Sequence, residues 1–126
     1  MSVPRTVLVT GAAHRIGREL IETFHALGSM VAIHYNTSKE SAESLVDKLV
    51  KIRPQSAFAV QADLTDYDSI QAMMKTVLEK FDNKLSLLIN NASTFYETPI
   101  ETLSKAQVSD RIGLFMQFSC IFRRLI

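Results

Sequence analysis

A chain of 126 residues with 47% hydrophobic content has the length of one domain and enough apolar side chains for a modest core. Its 14 basic and 13 acidic residues are interspersed, so there is no basic stripe of the kind nucleic acid requires. No stretch approaches the ~20 apolar residues that span a bilayer, the lone Cys120 builds no disulfide framework, and Met1-Ser2-Val3-Pro4-Arg5 lacks the apolar core of a secretory signal, which together read as a cytoplasmic chain with neither membrane nor nucleic-acid partner.

Val7-Leu8-Val9-Thr10 is an apolar run that stops at Gly11 and restarts at Ile16 as a helical pattern: a strand, a tight turn and a helix N-terminus. Unpaired N–H groups and the positive end of the helix dipole face such a turn, which suits it to phosphate. Gly11 lets the chain turn sharply, and Gly17 removes a Cβ where helix and strand pack closely. The competing reading is a strand-to-helix turn with two incidental glycines. Ile16, Leu20, Phe24 and Leu27 share one helical face, and Gly28 ends the helix. Met30 to His34 is a second strand, and Ser38 of the polar stretch Tyr35-Asn36-Thr37-Ser38 is placed to cap the next helix. Leu45, Leu49 and Ile52 mark that helix's buried face, and Pro54 stops it. Ala57 to Val60 reads as strand three, Thr65 or Asp66 as an N-cap, and Ile70, Met74, Val77, Leu78 and Phe81 as the face of helix three. Leu85 to Ile89 is strand four, and a loop from Asn90 to Thr102 leads into a final helical segment from about Leu103.

Strands that are apolar throughout, alternating with helices, imply a parallel sheet covered on both faces. The fold class is therefore α/β, a Rossmann-type doubly wound parallel sheet forming a single domain over residues 1–126. Right-handed crossovers give strand order 3-2-1-4, so the crevice opens between strands one and four, where the order reverses. The turns Thr10–Gly17 and Asn90–Ser93 then flank one cleft, and the fold reads as truncated before its later strands.

If the first turn holds a diphosphate, the end of strand two meets the adenosine ribose. A cofactor without a 2′-phosphate is usually met there by a carboxylate, about 20 residues on from the glycines. Here Tyr35, Asn36, Thr37 and Ser38 offer hydroxyl and amide groups instead, and Arg15 adds positive charge, which favours NADP(H); each polar residue also has a plain reading as a solvated loop. Asp63, with Leu64 beside it, is placed to meet the adenine, or equally to serve as a satisfied turn carboxylate. Asn90-Asn91-Ala92-Ser93 ends strand four with short side chains that leave room for a planar group.

The motifs Thr10-Gly11-Ala12-Ala13-His14-Arg15-Ile16-Gly17, Asp63-Leu64-Thr65 and Asn90-Asn91-Ala92 together resemble the short-chain dehydrogenase/reductase family over about residues 5 to 110. The resemblance implies that Gly11, His14, Arg15, Ile16, Gly17, Asp63, Leu64, Asn91, Ala92 and Ser93 contact the cofactor. Arg15 stands where that family usually has a second glycine, and Ser93 where it more often has glycine. With His34-Tyr35-Asn36 and the run from Asn91 to Pro99, these departures are similar to the pteridine reductase subgroup. That likeness implies NADPH-dependent reduction of a pterin or dihydropterin, with Ser93 and Phe95 lining the substrate side, in a homo-oligomer assembled through C-terminal helices.

In this family a tyrosine donates the proton, its pKa lowered by a lysine four residues on. The resemblance places that pair beyond this chain, so no catalytic residue is assigned; Tyr35 and Lys39 have the spacing but sit at the adenosine end. From about Gly113 the likeness fades, as though the tail were diverged or frameshifted. His14, His25 and His34 lack partners at ligand spacing, so no metal site is expected, and Cys120 reads as packing. The alternatives are a nucleotide-binding remnant without catalysis, or a reductase of another carbonyl such as a 3-oxoacyl thioester.

Overall fold

A computed structural model describes residues 3–92. Strands β1 (Thr6–Val9), β2 (Met30–Tyr35), β3 (Ala57–Gln61) and β4 (Leu87–Ile89) alternate with helices α1 (Arg15–Ala26), α2 (Lys39–Ile52) and α3 (Tyr67–Lys80). The sheet is parallel throughout, in the order β3-β2-β1-β4, as the crossover rule requires. It is a Rossmann-type α/β sheet. Expectations for residues 93–126, including the final helix, Ser93, Phe95 and Cys120, lie outside the described residues.

Alternation along β1 divides the core. Val7 and Val9 join Val31 and Ile33 under Ile21 of α1 and Ala42, Leu45 and Leu49 of α2. Leu8 joins Ala32 on the opposite face, under Ile70, Met73, Met74 and Val77 of α3 and under Phe81. With both faces covered, each β1 side chain from Val7 to Val9 is fully buried, which is why the strand is apolar at every position.

The buried stripes differ from the expected ones where chain ends and close approaches set the helix rotation. On α1 the core face is Gly17, Ile21 and His25, while Ile16 and Leu27 are 69% and 56% exposed. Gly17 lies against the backbone of the preceding turn, which rotates the stripe one residue beyond the apolar pattern. On α2, Ala42 replaces Ile52 in the buried set; Ile52 is the last helical residue and Arg53 is already extended ahead of Pro54. On α3, Met73 is buried and Leu78 only half-buried. Leu85 precedes β4 rather than belonging to it, and packs against the α3-side core.

Only one predicted cap forms a side-chain bond. Asp66 caps α3, accepting from the Asp68 N–H at 3.2 Å, whereas Ser38 sits at the α2 N-cap without one. At the other end of the sheet, the Thr6 hydroxyl donates to the Lys84 carbonyl and accepts from the Ser86 N–H at 2.9 Å, which holds the approach to β4 in register with β1.

Candidate functional site: the crevice between β1 and β4

The chain leaves β1 and β4 side by side, and Thr10 ties the two exits together. Its N–H donates to the Ile89 carbonyl at 3.0 Å, and its hydroxyl oxygen accepts from the N–H groups of Asn91 and Ala92, each at 3.0 Å. The Asn91 side-chain amide donates back to the carbonyls of Thr10 and Gly11, each at 3.1 Å. Sequence reasoning does not single out Thr10 as a site residue. Its signal was a hydroxyl at the last position of an otherwise apolar run, directly before the glycine.

These bonds press backbone against backbone. A Cβ on Gly11 would lie 2.8 Å from the Ala92 Cα, and Gly11 holds φ at +61°, so both space and conformation require glycine there. A Cβ on Gly17 would lie 2.5 Å from the Gly11 carbonyl oxygen and 2.6 Å from the Asn91 Nδ2. The two glycines thus serve one junction, where turn, helix and β4 exit meet without intervening side chains; the incidental-glycine reading does not hold.

The amides of the turn that are without partners lie beyond its first glycine. The Gly11 N–H donates to His34 Nδ1 and the Ala12 N–H to the His34 carbonyl, both at 2.9 Å, so the amides flanking residue 11 are committed within the protein. Among the described residues, the N–H groups of Ala13, His14, Arg15, Ile16 and Gly17 have no hydrogen-bond partner, and they open the N-terminus of α1. His14 is the extended N-cap of α1 and its imidazole makes no cap bond. Arg15 has φ +52°, the left-handed conformation that favours glycine. Its exposed guanidinium has no hydrogen-bond partner among the described residues, and with the exposed Ile16 it lines an open groove along α1. A diphosphate fits this arrangement: among the described residues, five amides at the N-terminus of α1 are without partners, the helix dipole adds its positive end, and Arg15 is one of the five residues.

At the far end, Tyr35 is half-buried against the α1/α2-side core, and the Asn36 side-chain and backbone oxygens both accept from Gln61 Nε2 at 3.2 Å. Thr37 and Ser38 line a small polar hollow with Lys39, Glu40 and Ser41. Lys39 leans 3.9 Å from Glu43. Asp63 accepts from the Thr65 hydroxyl at 2.6 Å and the Thr65 N–H at 2.9 Å, and these bonds hold its carboxyl below the usual carboxylate range. It is a satisfied turn carboxylate on one oxygen. Leu64 is 5% exposed within the α3-side core, so its side chain is spent on packing.

The buried histidines are also accounted for. Burial pushes the His34 imidazole below its ordinary pKa, while Nε2 meets the Ala62 carbonyl at 2.9 Å. His25 bonds the Ser56 hydroxyl at 2.6 Å, and burial and the Arg53 cation lower it likewise. Among the described residues no cluster of three or more His, Cys, Asp or Glu side chains is arranged to hold a metal ion, and no helix is long and apolar enough to cross a membrane.

The family model described as short chain dehydrogenase matches residues 5–120, past Gly113, where the likeness was expected to fade. A 3-oxoacyl-[acyl-carrier-protein] reductase of Staphylococcus aureus (strain Mu50) is 33% identical over 123 residues, covering 96% of this chain and 49% of that protein. Pteridine reductase 1 of Leishmania tarentolae is 34% identical, over 84% of this chain and 42% of its own length. An uncharacterized oxidoreductase of Bacillus subtilis is 28% identical over 87% of this chain. The pteridine subgroup is thus not favoured over the acyl-carrier-protein reductases, and the chain spans about half the length of these curated relatives. The matched stretch nonetheless takes in all four strands and both sides of the crevice, and on that footing the chain belongs to the short-chain dehydrogenase family.

Proposed function

We propose that this chain supplies the dinucleotide-binding part of an NADPH-dependent reductase. The observation that carries the reading is the row of amides at residues 13–17 without a partner among the described residues, with an arginine in that row held in a left-handed backbone. These amides and Arg15 hold phosphate, and His14 and Ile16 border them. Tyr35, Asn36, Thr37 and Ser38 receive the ribose with its 2′-phosphate, supported by the Lys39 ammonium in the same hollow and by the lack of a carboxylate from His34 to Ser38. Asp63 and the Leu64 backbone border the adenine; Asn91, Ala92 and Ser93 border the nicotinamide. The bound nucleotide supplies the hydride, while this chain's residues orient it and exclude water from one side.

For the substrate, two classes have support. The run Ser93-Thr94-Phe95 and the likeness to a pteridine reductase favour a pterin or dihydropterin, stacked on Phe95 and hydrogen-bonded by Ser93. The likeness to 3-oxoacyl reductases favours a 3-oxoacyl thioester to a comparable degree. Assembly into a homo-oligomer, a cytoplasmic location and a small-molecule substrate complete the proposal. Calorimetric titration tests its foundation: NADPH binds at least tenfold more tightly than NADH, and Arg15→Glu removes most of that margin. Equal affinities, or an Arg15→Glu chain that binds NADPH unchanged, overturn the cofactor assignment.

A further inference from the structure

His34 lies at the C-terminal end of β2, 2% exposed, opposite Val60 of β3 in the sheet. Its ring reaches across both neighbouring strands. On one side Nδ1 lies 2.9 Å from the Gly11 nitrogen; on the other, Nε2 lies 2.9 Å from the Ala62 carbonyl oxygen. The two nitrogens therefore have unlike roles. A carbonyl only accepts, so the ring proton resides on Nε2; the Gly11 N–H only donates, so Nδ1 is bare. The tautomer follows from the partners.

Gly11 is where the backbone takes its left-handed turn, and the ring nitrogen is the partner of its N–H. The next amide, Ala12, bonds the His34 backbone carbonyl, so one residue of β2 anchors both ends of the bend. Among the described residues, the N–H groups that follow, from Ala13 to Gly17, have no partner. The bonds to residues 11 and 12 therefore fix the point from which the chain enters that row of amides.

We propose that His34 is a positioning residue for the dinucleotide turn: its bare Nδ1, oriented through Nε2 by Ala62, pins the Gly11 amide and so aims the amides of residues 13–17 at the diphosphate. The proposal rests on the dinucleotide reading above and adds to it a β2 residue that acts through the Gly11 amide. Packing alone would make any side chain of similar shape equivalent. The hydrogen-bond role does not, and two substitutions separate the two ring nitrogens. In His34→Asn the side-chain oxygen stands near the Nδ1 position and accepts from Gly11, but falls short of Ala62. In His34→Gln the amide nitrogen reaches toward Ala62, while a methylene replaces the acceptor facing Gly11.

The experiment uses the full 126-residue chain, with NADPH and NADH affinity measured by calorimetry and folding checked by thermal midpoint. His34→Asn keeps affinity within about threefold of the parent, and His34→Gln loses about tenfold for both nucleotides. Equal affinities in the two variants, or the better binding in Gln, overturn the positioning role while leaving the dinucleotide reading intact. If the parent binds neither nucleotide, that reading fails and takes the inference with it. Nitrogen-15 NMR of the imidazole is independent of any ligand: a protonated Nε2 and a bare Nδ1 at neutral pH support the proposal, whereas the opposite tautomer or a doubly protonated ring overturns it.

Discussion

At the scale of single residues, Arg15 separates what the fold prefers from what the site needs. A non-glycine residue at φ +52° costs on the order of 1 kcal/mol relative to glycine, and nothing among the described residues offsets that cost through the guanidinium. Arg15→Gly is therefore expected to raise stability in urea unfolding by on the order of 0.5–1 kcal/mol, part of the relief being returned as glycine's greater freedom in the unfolded chain. The same variant is expected to bind NADPH at least tenfold more weakly. Lower stability would remove the strain argument, and unchanged affinity would leave the arginine without a reason to be there. Arg15, Gly11 and Gly17 were legible in the sequence because a turn between an apolar run and a helical stripe has few ways to be built. The ring bond of His34 was not, since which amide a strand-end side chain meets depends on register between strands that no local pattern encodes.

Among elements, the helices show how local signals compete with close approach. Apolar spacing placed Ile16 and Leu27 on α1's inward face, yet Gly17 is the residue that fits against the Gly11 carbonyl, and the stripe turns to accommodate it. That constraint is tertiary and carries no trace in hydrophobic periodicity. Capping shows the converse: Asp66 was legible as one of two adjacent candidates, and the structure selects it over Thr65, whose own hydroxyl is given to Asp63. The two predicted caps should accordingly respond differently. Asp66→Ala removes both a bond to the Asp68 N–H and a negative charge at the α3 N-terminus, and is expected to cost about 1 kcal/mol. Ser38→Ala removes no cap bond and is expected to change stability by less than about 0.5 kcal/mol. Chemical denaturation of the two variants side by side checks this; a larger loss in Ser38→Ala would mean that α2 relies on a cap the structure does not contain.

For the whole molecule, strand order and the two core layers follow from the βα repeat and handedness, so the architecture was the most legible part of the sequence. Less legible is that the sheet is braced near each end by a buried neutral histidine. His34 joins β1, β2 and β3 at their C-terminal ends, and His25 joins the last turn of α1 to Ser56, whose carbonyl receives the Val31 N–H at 2.9 Å near the start of β2. Both lie below the ordinary histidine value of 6.5, chiefly because burial disfavours the cation. The sign follows. Between each depressed value and 6.5 the unfolded chain holds a proton that the folded chain does not, so stability is full above 6.5 and falls as the pH drops below it. Each histidine contributes a slope of at most about 1.4 kcal/mol per pH unit. Further down, Glu22, lowered mainly by its bond to Lys48, and Asp63, lowered by Thr65, add a second loss as the pH passes through the carboxylate range. Urea midpoints collected from about pH 8 to pH 4 are expected to fall in these two stages. His25→Gln, which keeps a donor toward Ser56 but cannot titrate, should shrink the first stage and leave the second. A midpoint that is flat through the first stage would show that folding changes neither ring's proton affinity, and one that rises toward acid would show a ring protonated more readily in the folded chain, a charge under which the acceptor facing Gly11 is lost.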